Sequence, residues 1–104
     1  MTTLSTHVLD TATGEPARGM SVHLARSDDT RWEVVGEFDT DDDGRISSFG
    51  DLPGGIYRLG FETGKWGNVF LPFVHVIFNV DEERDHYHVP LLLSPFGYTT
   101  YRGS

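Results

Sequence analysis

His86-Tyr87-His88-Val89-Pro90-Leu91-Leu92-Leu93 is the stretch whose spacing settles the fold class. Read at period two, Tyr87, Val89, Leu91 and Leu93 point one way and His86, His88, Pro90 and Leu92 the other, as in a strand. The same alternation runs through residues 4–10, where Leu4, Thr6 and Val8 oppose Ser5, His7 and Leu9. It recurs in 72–80, where Val74, Val76 and Phe78 oppose Phe73, His75 and Ile77. Clusters of Gly, Pro or Asp separate such windows and no long amphipathic helix appears. The pattern predicts an all-β, antiparallel sandwich with strands near residues 4–10, 20–26, 32–38, 45–48, 55–62, 72–80, 86–93 and 97–104.

The turns between these windows have identifiable chemistry. Thr13-Gly14-Glu15-Pro16 and Leu52-Pro53-Gly54-Gly55 combine the fixed φ of proline with glycine's access to positive φ. Asp43-Gly44 suits a tight hairpin between the third and fourth strands. The acidic runs Asp39–Asp43 and Asp81–Asp85 fall at turns and read as solvated loop tips.

A chain of 104 residues fits one domain, 1–104, with a single sheet-on-sheet core, and its seven Phe, four Tyr and two Trp supply bulky packing material. A formal charge of −8 with scattered basic residues argues against nucleic acid and anionic membrane surfaces as partners. The absence of cysteine removes disulfides, thiolate metal sites and a cysteine nucleophile. Met1-Thr2-Thr3-Leu4-Ser5 has neither the basic nor the apolar region of a signal peptide, so a cytoplasmic protein is expected. The apolar-rich stretch Val69–Phe78, interrupted by Pro72 and His75, is too short to span a bilayer.

A sheet buried on one side alone should show a polar outer face. Leu9, Pro90 and Leu92 occupy that second face instead, which predicts that subunits pack against it. His7 and His88 lie on the same faces, where an interface cleft could exclude water without disturbing the core.

Several chemistries compete for the polar residues. His23 and His75 each stand alone on a strand and read as surface or packing residues. His86 and His88 share a face at a separation that one metal ion could bridge, but His7 is the only evident third ligand, so no functional metal is expected. Asp39-x-Asp41-x-Asp43-Gly44 matches the first half of a calcium loop, yet Gly50 occupies the position of the bidentate Glu and no helices flank it. A serine nucleophile has no Gly-x-Ser-x-Gly elbow to present it. What remains is a pair of histidines on a face that a partner could cover, with Arg45 just beyond a turn.

The nineteen residues from His86 to Ser104, ending Ser94-Pro95-Phe96-Gly97-Tyr98-Thr99-Thr100-Tyr101-Arg102-Gly103-Ser104, closely resemble the signature of 5-hydroxyisourate hydrolases in the transthyretin-like family. Ser5-Thr6-His7-Val8-Leu9-Asp10 with Thr13-Gly14-Glu15-Pro16-Ala17 resembles that family's first strand and turn, and Asp43-Gly44-Arg45 its arginine-bearing hairpin. Transthyretin itself, the alternative small-ligand carrier of this fold, lacks the two histidines, the arginine and the Tyr-Arg-Gly-Ser ending.

The resemblance implies a sandwich of two four-stranded sheets and a homotetramer, a dimer of dimers with sites at the mouths of a central channel. It also implies cofactor-free hydrolysis of 5-hydroxyisourate to 2-oxo-4-hydroxy-4-carboxy-5-ureidoimidazoline in urate degradation. Carried over residue by residue, it makes His7, Arg45, His88 and Ser104 catalytic, and Tyr101, Arg102 and Gly103 substrate-binding. Relatives carry a short helix after the fifth strand. Only Lys65-Trp66-Gly67-Asn68-Val69 separates Thr63-Gly64 from Phe70-Leu71-Pro72 here, so that helix is expected to be truncated or absent and the packing of Trp66 altered.

Overall fold

Alternation becomes strands throughout the computed structural model, which describes residues 1–104. In chain order the elements are β1 (Thr3–Asp10), β2 (Glu15–Pro16), β3 (Ser21–Ser27), β4 (Trp32–Asp39), β5 (Arg45–Ile46), β6 (Gly55–Phe61), α1 (Thr63–Trp66), β7 (Val74–Val80), β8 (His86–His88), β9 (Leu91–Leu93) and β10 (Tyr98–Thr100). One sheet has the order β4-β3-β6-β7 and is antiparallel throughout. The other is built around β1 in the order β10-β9-β1-β2, with β5 and β8 also pairing to β1.

The core lies between the sheets, where Leu4, Val8, Val22, Leu24, Tyr57, Leu59, Phe61, Val74, Leu91 and Leu93 meet with almost no exposed surface. Each such side chain contributes roughly 1.5–3 kcal/mol by leaving water. The inward set of β1 is Leu4, Thr6 and Val8, as period two requires, which leaves Ser5 and His7 on the opposite face, half-buried. Thr6 is tolerated inside because its hydroxyl donates to the Val89 carbonyl at 2.6 Å.

Three expectations change. The site-bearing sheet is mixed rather than antiparallel, because β8 and β9 run parallel to β1. Both acidic runs carry the chain from one sheet to the other: β4 pairs with β3 and β5 with β1, so Asp43-Gly44 closes a tight turn but not a hairpin. The long window 86–93 breaks into two strands at Val89-Pro90, since proline has no N–H to give to the ladder. Pro90 is buried within the chain itself, so Leu9 and Leu92, which face each other across β1 and β9, are the half-buried pair left on that outer face.

Smaller differences follow from local geometry. The sequence window 97–104 is strand only as far as Thr100. β4 does not alternate, because the register shifts opposite Leu24 and Ala25 and leaves both Val34 and Val35 about half exposed. The helix is present as a single turn of four residues, ended by Gly67 at φ +137°. Trp66 packs against the core and donates its indole N–H to the Arg18 carbonyl at 3.0 Å.

Candidate active site

β1 is the organiser because it takes a different partner on each side. Ser5 is aligned with His88 across the parallel pair with β8, and His7 with Arg45 across the antiparallel pair with β5. Ser5 and His7 project to one face of β1, so the two flanking residues meet them there.

Arg45 owes its placement to the turn before it. Asp41 N–H donates to the Arg45 carbonyl at 2.9 Å, and Arg45 N–H donates to the Asp41 carboxylate at 2.9 Å. Gly44 between them has φ +73°, and a Cβ there would stand 2.5 Å from the Val8 carbonyl oxygen. Only glycine fits, because Val8 N–H also donates to the Gly44 carbonyl at 2.8 Å and fixes the turn against β1. The Arg45 side chain is exposed and forms none of the chain's ion pairs.

His88 is held from three directions. Its Nδ1 lies 2.8 Å from Ser5 Oγ. Its carbonyl accepts the Gly103 N–H at 2.7 Å, which brings the C-terminal tail back along β8. A Cβ at Gly103 would come within 2.8 Å of His88 Cδ2, so the bare glycine backbone lies against the imidazole. Partial burial, the Arg45 guanidinium and the imidazoles of His7 and His86 together hold the His88 pKa below the ordinary histidine value. A neutral ring, able to accept or to donate one proton, results near neutral pH.

An open depression of about 350 Å³ is lined by Ser5, Thr6, Arg45, Ile46, Ser47, His86, His88 and Ser104. No Asp or Glu lines it, although the chain carries sixteen of them. The expected residues are thus partly gathered. Arg45, His88 and Ser104 share the depression, His7 stands near enough to act electrostatically on His88, and Gly103 packs on its ring. Tyr101 and Arg102 turn elsewhere, into a recess of about 220 Å³ with Val76, Phe78, Tyr87 and Val89. Nowhere do three or more His, Asp or Glu side chains gather closely enough to hold a metal, and His86 is engaged by Thr3 and Ser5.

Ser5 was absent from the expected site and is central to the observed one. Its signal was its place two residues before His7 on one strand face, which becomes informative only once the parallel partner of β1 is known.

A sequence profile of the HIUase/Transthyretin family matches residues 4–103. The chain belongs to that family. It is 43% identical to a 5-hydroxyisourate hydrolase of Salmonella dublin over 97% of this chain and 80% of that protein. It is 42% identical to a 5-hydroxyisourate hydrolase of Caulobacter vibrioides over the whole length of both. The solved Klebsiella pneumoniae 5-hydroxyisourate hydrolase superposes with a TM-score of 0.87 at 41% identity, covering 100% of each chain. Sea bream transthyretin in complex with thyroxine superposes almost as well, TM-score 0.86, but at 30% identity over 96% of this chain and 93% of that one. Backbone shape therefore does not separate enzyme from carrier, and the side chains of the depression must.

Proposed function

We propose that the chain is a 5-hydroxyisourate hydrolase, opening its cyclic substrate by hydrolysis of a ring amide C–N bond to give 2-oxo-4-hydroxy-4-carboxy-5-ureidoimidazoline in urate degradation. The observation that carries the reading is the meeting of a neutral imidazole, His88, with a cation free of ion pairs, Arg45, in a depression that no Asp or Glu lines. Amide hydrolysis needs a base for the attacking water, positive charge where the carbonyl oxygen becomes an oxyanion, and a proton for the departing nitrogen. His7 and His88 divide the two proton transfers. Arg45 faces the oxyanion, and its planar donor fork suits an oxygen-rich heterocycle. Ser104, which also lines the depression, contributes a hydroxyl. No step calls for a cofactor.

The same reading makes the protein a homotetramer. Its support is the half-buried Leu9 and Leu92 pair on the site face, together with exposed Tyr101 beside the tail. Packing a second copy there would deepen a depression that is shallow in one chain, and would let Tyr101 and Arg102 bound the substrate from a direction the single chain does not provide. We place the activity in the cytoplasm on the same proposal; no helix of the chain is long and apolar enough to cross a membrane.

The test is the decay of freshly generated 5-hydroxyisourate with and without the purified protein. Acceleration over the spontaneous rate supports the enzyme. Saturable binding of the substrate or of thyroxine without acceleration would favour a carrier.

A further inference from the structure

A line of hydrogen bonds leaves the depression through residues with no part in the reaction as described. Ser5 Oγ lies 2.8 Å from His88 Nδ1 and 2.9 Å from His86 Nε2, and Thr3 Oγ1 lies 2.6 Å from His86 Nδ1. Thr3, Ser5, His86 and His88 alternate across the parallel β1–β8 pair, in which Thr3 is aligned with His86 and Ser5 with His88. His88 Nε2 makes no hydrogen bond within the chain, and Arg26 Nε is the one side-chain nitrogen or oxygen buried without a partner. Nε2 is therefore the ring nitrogen reachable by solvent or substrate.

We propose that Ser5 and His86 are positioning residues that set the tautomer of His88 and form a proton relay to the surface at Thr3. The inference rests on the hydrolase reading above. Hydrogen-bond valence limits the line to two ordered states. A hydroxyl carries one proton, and a neutral imidazole carries one N–H and one lone pair. In the first state His88 Nδ1–H donates to Ser5, Ser5 donates to His86 Nε2, and His86 Nδ1–H donates to Thr3. His88 Nε2 is then a bare lone pair, ready to act as a base. In the second, Thr3 donates to His86 Nδ1, His86 Nε2–H donates to Ser5, and Ser5 donates to His88 Nδ1. His88 now carries its proton on Nε2 and can act as an acid.

Conversion of the first state to the second balances at every atom. His88 Nε2 takes one proton from the attacking water while Nδ1 gives one to Ser5. Ser5 passes its own to His86 Nε2, His86 Nδ1 passes its own to Thr3, and Thr3 gives its original proton to solvent. No group keeps a net charge, which spares the depression an imidazolium beside Arg45. Run backward, the line takes a proton from solvent at Thr3 as His88 Nε2 gives its own to the leaving nitrogen, and so resets the base with no group left charged. Both Thr3 and His86 reach the surface, as an exit for protons must.

The experiment has two independent readouts. The first is the ring 15N spectrum of His88 in wild type, Ser5→Ala and Ser5→Thr, which reports tautomer without any substrate. Tautomer populations shifted from those of free histidine should appear in wild type, should give way to the free-solution mixture in Ser5→Ala, and should be recovered in Ser5→Thr. The second is turnover of 5-hydroxyisourate. Ser5→Ala and His86→Ala should lose about 10- to 100-fold in kcat with KM little changed, by analogy with the loss seen when the hydrogen-bond partner that orients a metal-bound histidine is removed. Added imidazole should restore part of the His86→Ala loss. An unchanged His88 spectrum in Ser5→Ala, or wild-type kcat in both alanine variants, would overturn the relay. Should the wild-type protein fail to turn over the substrate, the hydrolase reading falls while the tautomer measurement still decides the role of Ser5.

Discussion

Replacing Gly103 with alanine places one methyl group against the imidazole on which the site depends. The new Cβ would stand 2.8 Å from Cδ2, 3.1 Å from Cβ and 3.3 Å from Cγ of His88. Carbon atoms pack at about 3.5–4.0 Å, so the tightest contact must open by roughly 0.7 Å or more. Neither side yields freely. Gly103 N–H donates to the His88 carbonyl at 2.7 Å, and the His88 ring is tied to Ser5 at 2.8 Å. Moving the ring misdirects Nε2, and moving the tail withdraws Ser104 from the depression. A misplacement approaching 1 Å costs on the order of 10²-fold in rate, or about 2.7 kcal/mol of transition-state stabilisation. Stability should change by less than about 0.5 kcal/mol, because Gly103 lies beyond the last strand and its φ is not in the left-handed region. Steady-state kinetics beside a thermal melt checks both quantities. A Gly103→Ala protein with wild-type kcat/KM would refute the packing argument, and one that loses activity because it unfolds would make Gly103 structural.

Arg45→Gln should raise the pH at which His88 titrates, as read by NMR, without restoring the free-histidine value, since burial is the larger cause of the depression. The sign also fixes two pH dependences: base-form activity should persist below about pH 6.5, and the stability tied to neutral His88, full above that pH, should be lost as pH falls toward the lower folded-state value, because the unfolded chain binds the proton first. Leu92→Asp should break the assembly in sedimentation, since an unpaired charge at an interface costs several kcal/mol, and a wild-type oligomer in that variant would remove Leu92 from any interface. Prolonged dialysis against a chelator should leave turnover unchanged, and a loss restored by zinc alone would bring back the metal reading of His86 and His88.

The parts of this molecule legible in sequence are those governed by local periodicity. Leu4, Thr6 and Val8 against Ser5, His7 and Leu9 sort to inner and outer faces as spacing requires, because a strand side chain has only two directions to take. What period two cannot carry is pairing. Nothing in Asp39–Asp43 or Asp81–Asp85 distinguishes a hairpin from a crossing between sheets, and both are crossings that place β5 and β8 on either side of β1. Ser5 was invisible as a site residue for this reason, since its neighbour His88 is more than eighty positions away.

The tail shows the same division. Resemblance grouped Tyr101, Arg102, Gly103 and Ser104 as one unit, and chain geometry separates them. Ser104 enters the depression, Gly103 lies against the His88 ring, and Tyr101 and Arg102 line the recess beside Tyr87 and Val89. The tail leaves the ladder after Thr100, and its first two residues and its last two go to different hollows, so the four do not all face one substrate within one chain. Either a second copy completes the contact or Tyr101 and Arg102 serve to anchor the tail, and the oligomer measurements above distinguish the two.

The central claim, that the depression holding His88 and Arg45 hydrolyses 5-hydroxyisourate, is tested most directly by the substrate's first-order decay in the presence of wild-type protein and of folded His88→Ala, against buffer alone. The account predicts fast decay with wild type and a loss of about 10²- to 10⁴-fold with His88→Ala, the range for removing a general acid or base. Decay at the buffer rate with wild type, or at the wild-type rate with His88→Ala, would contradict it.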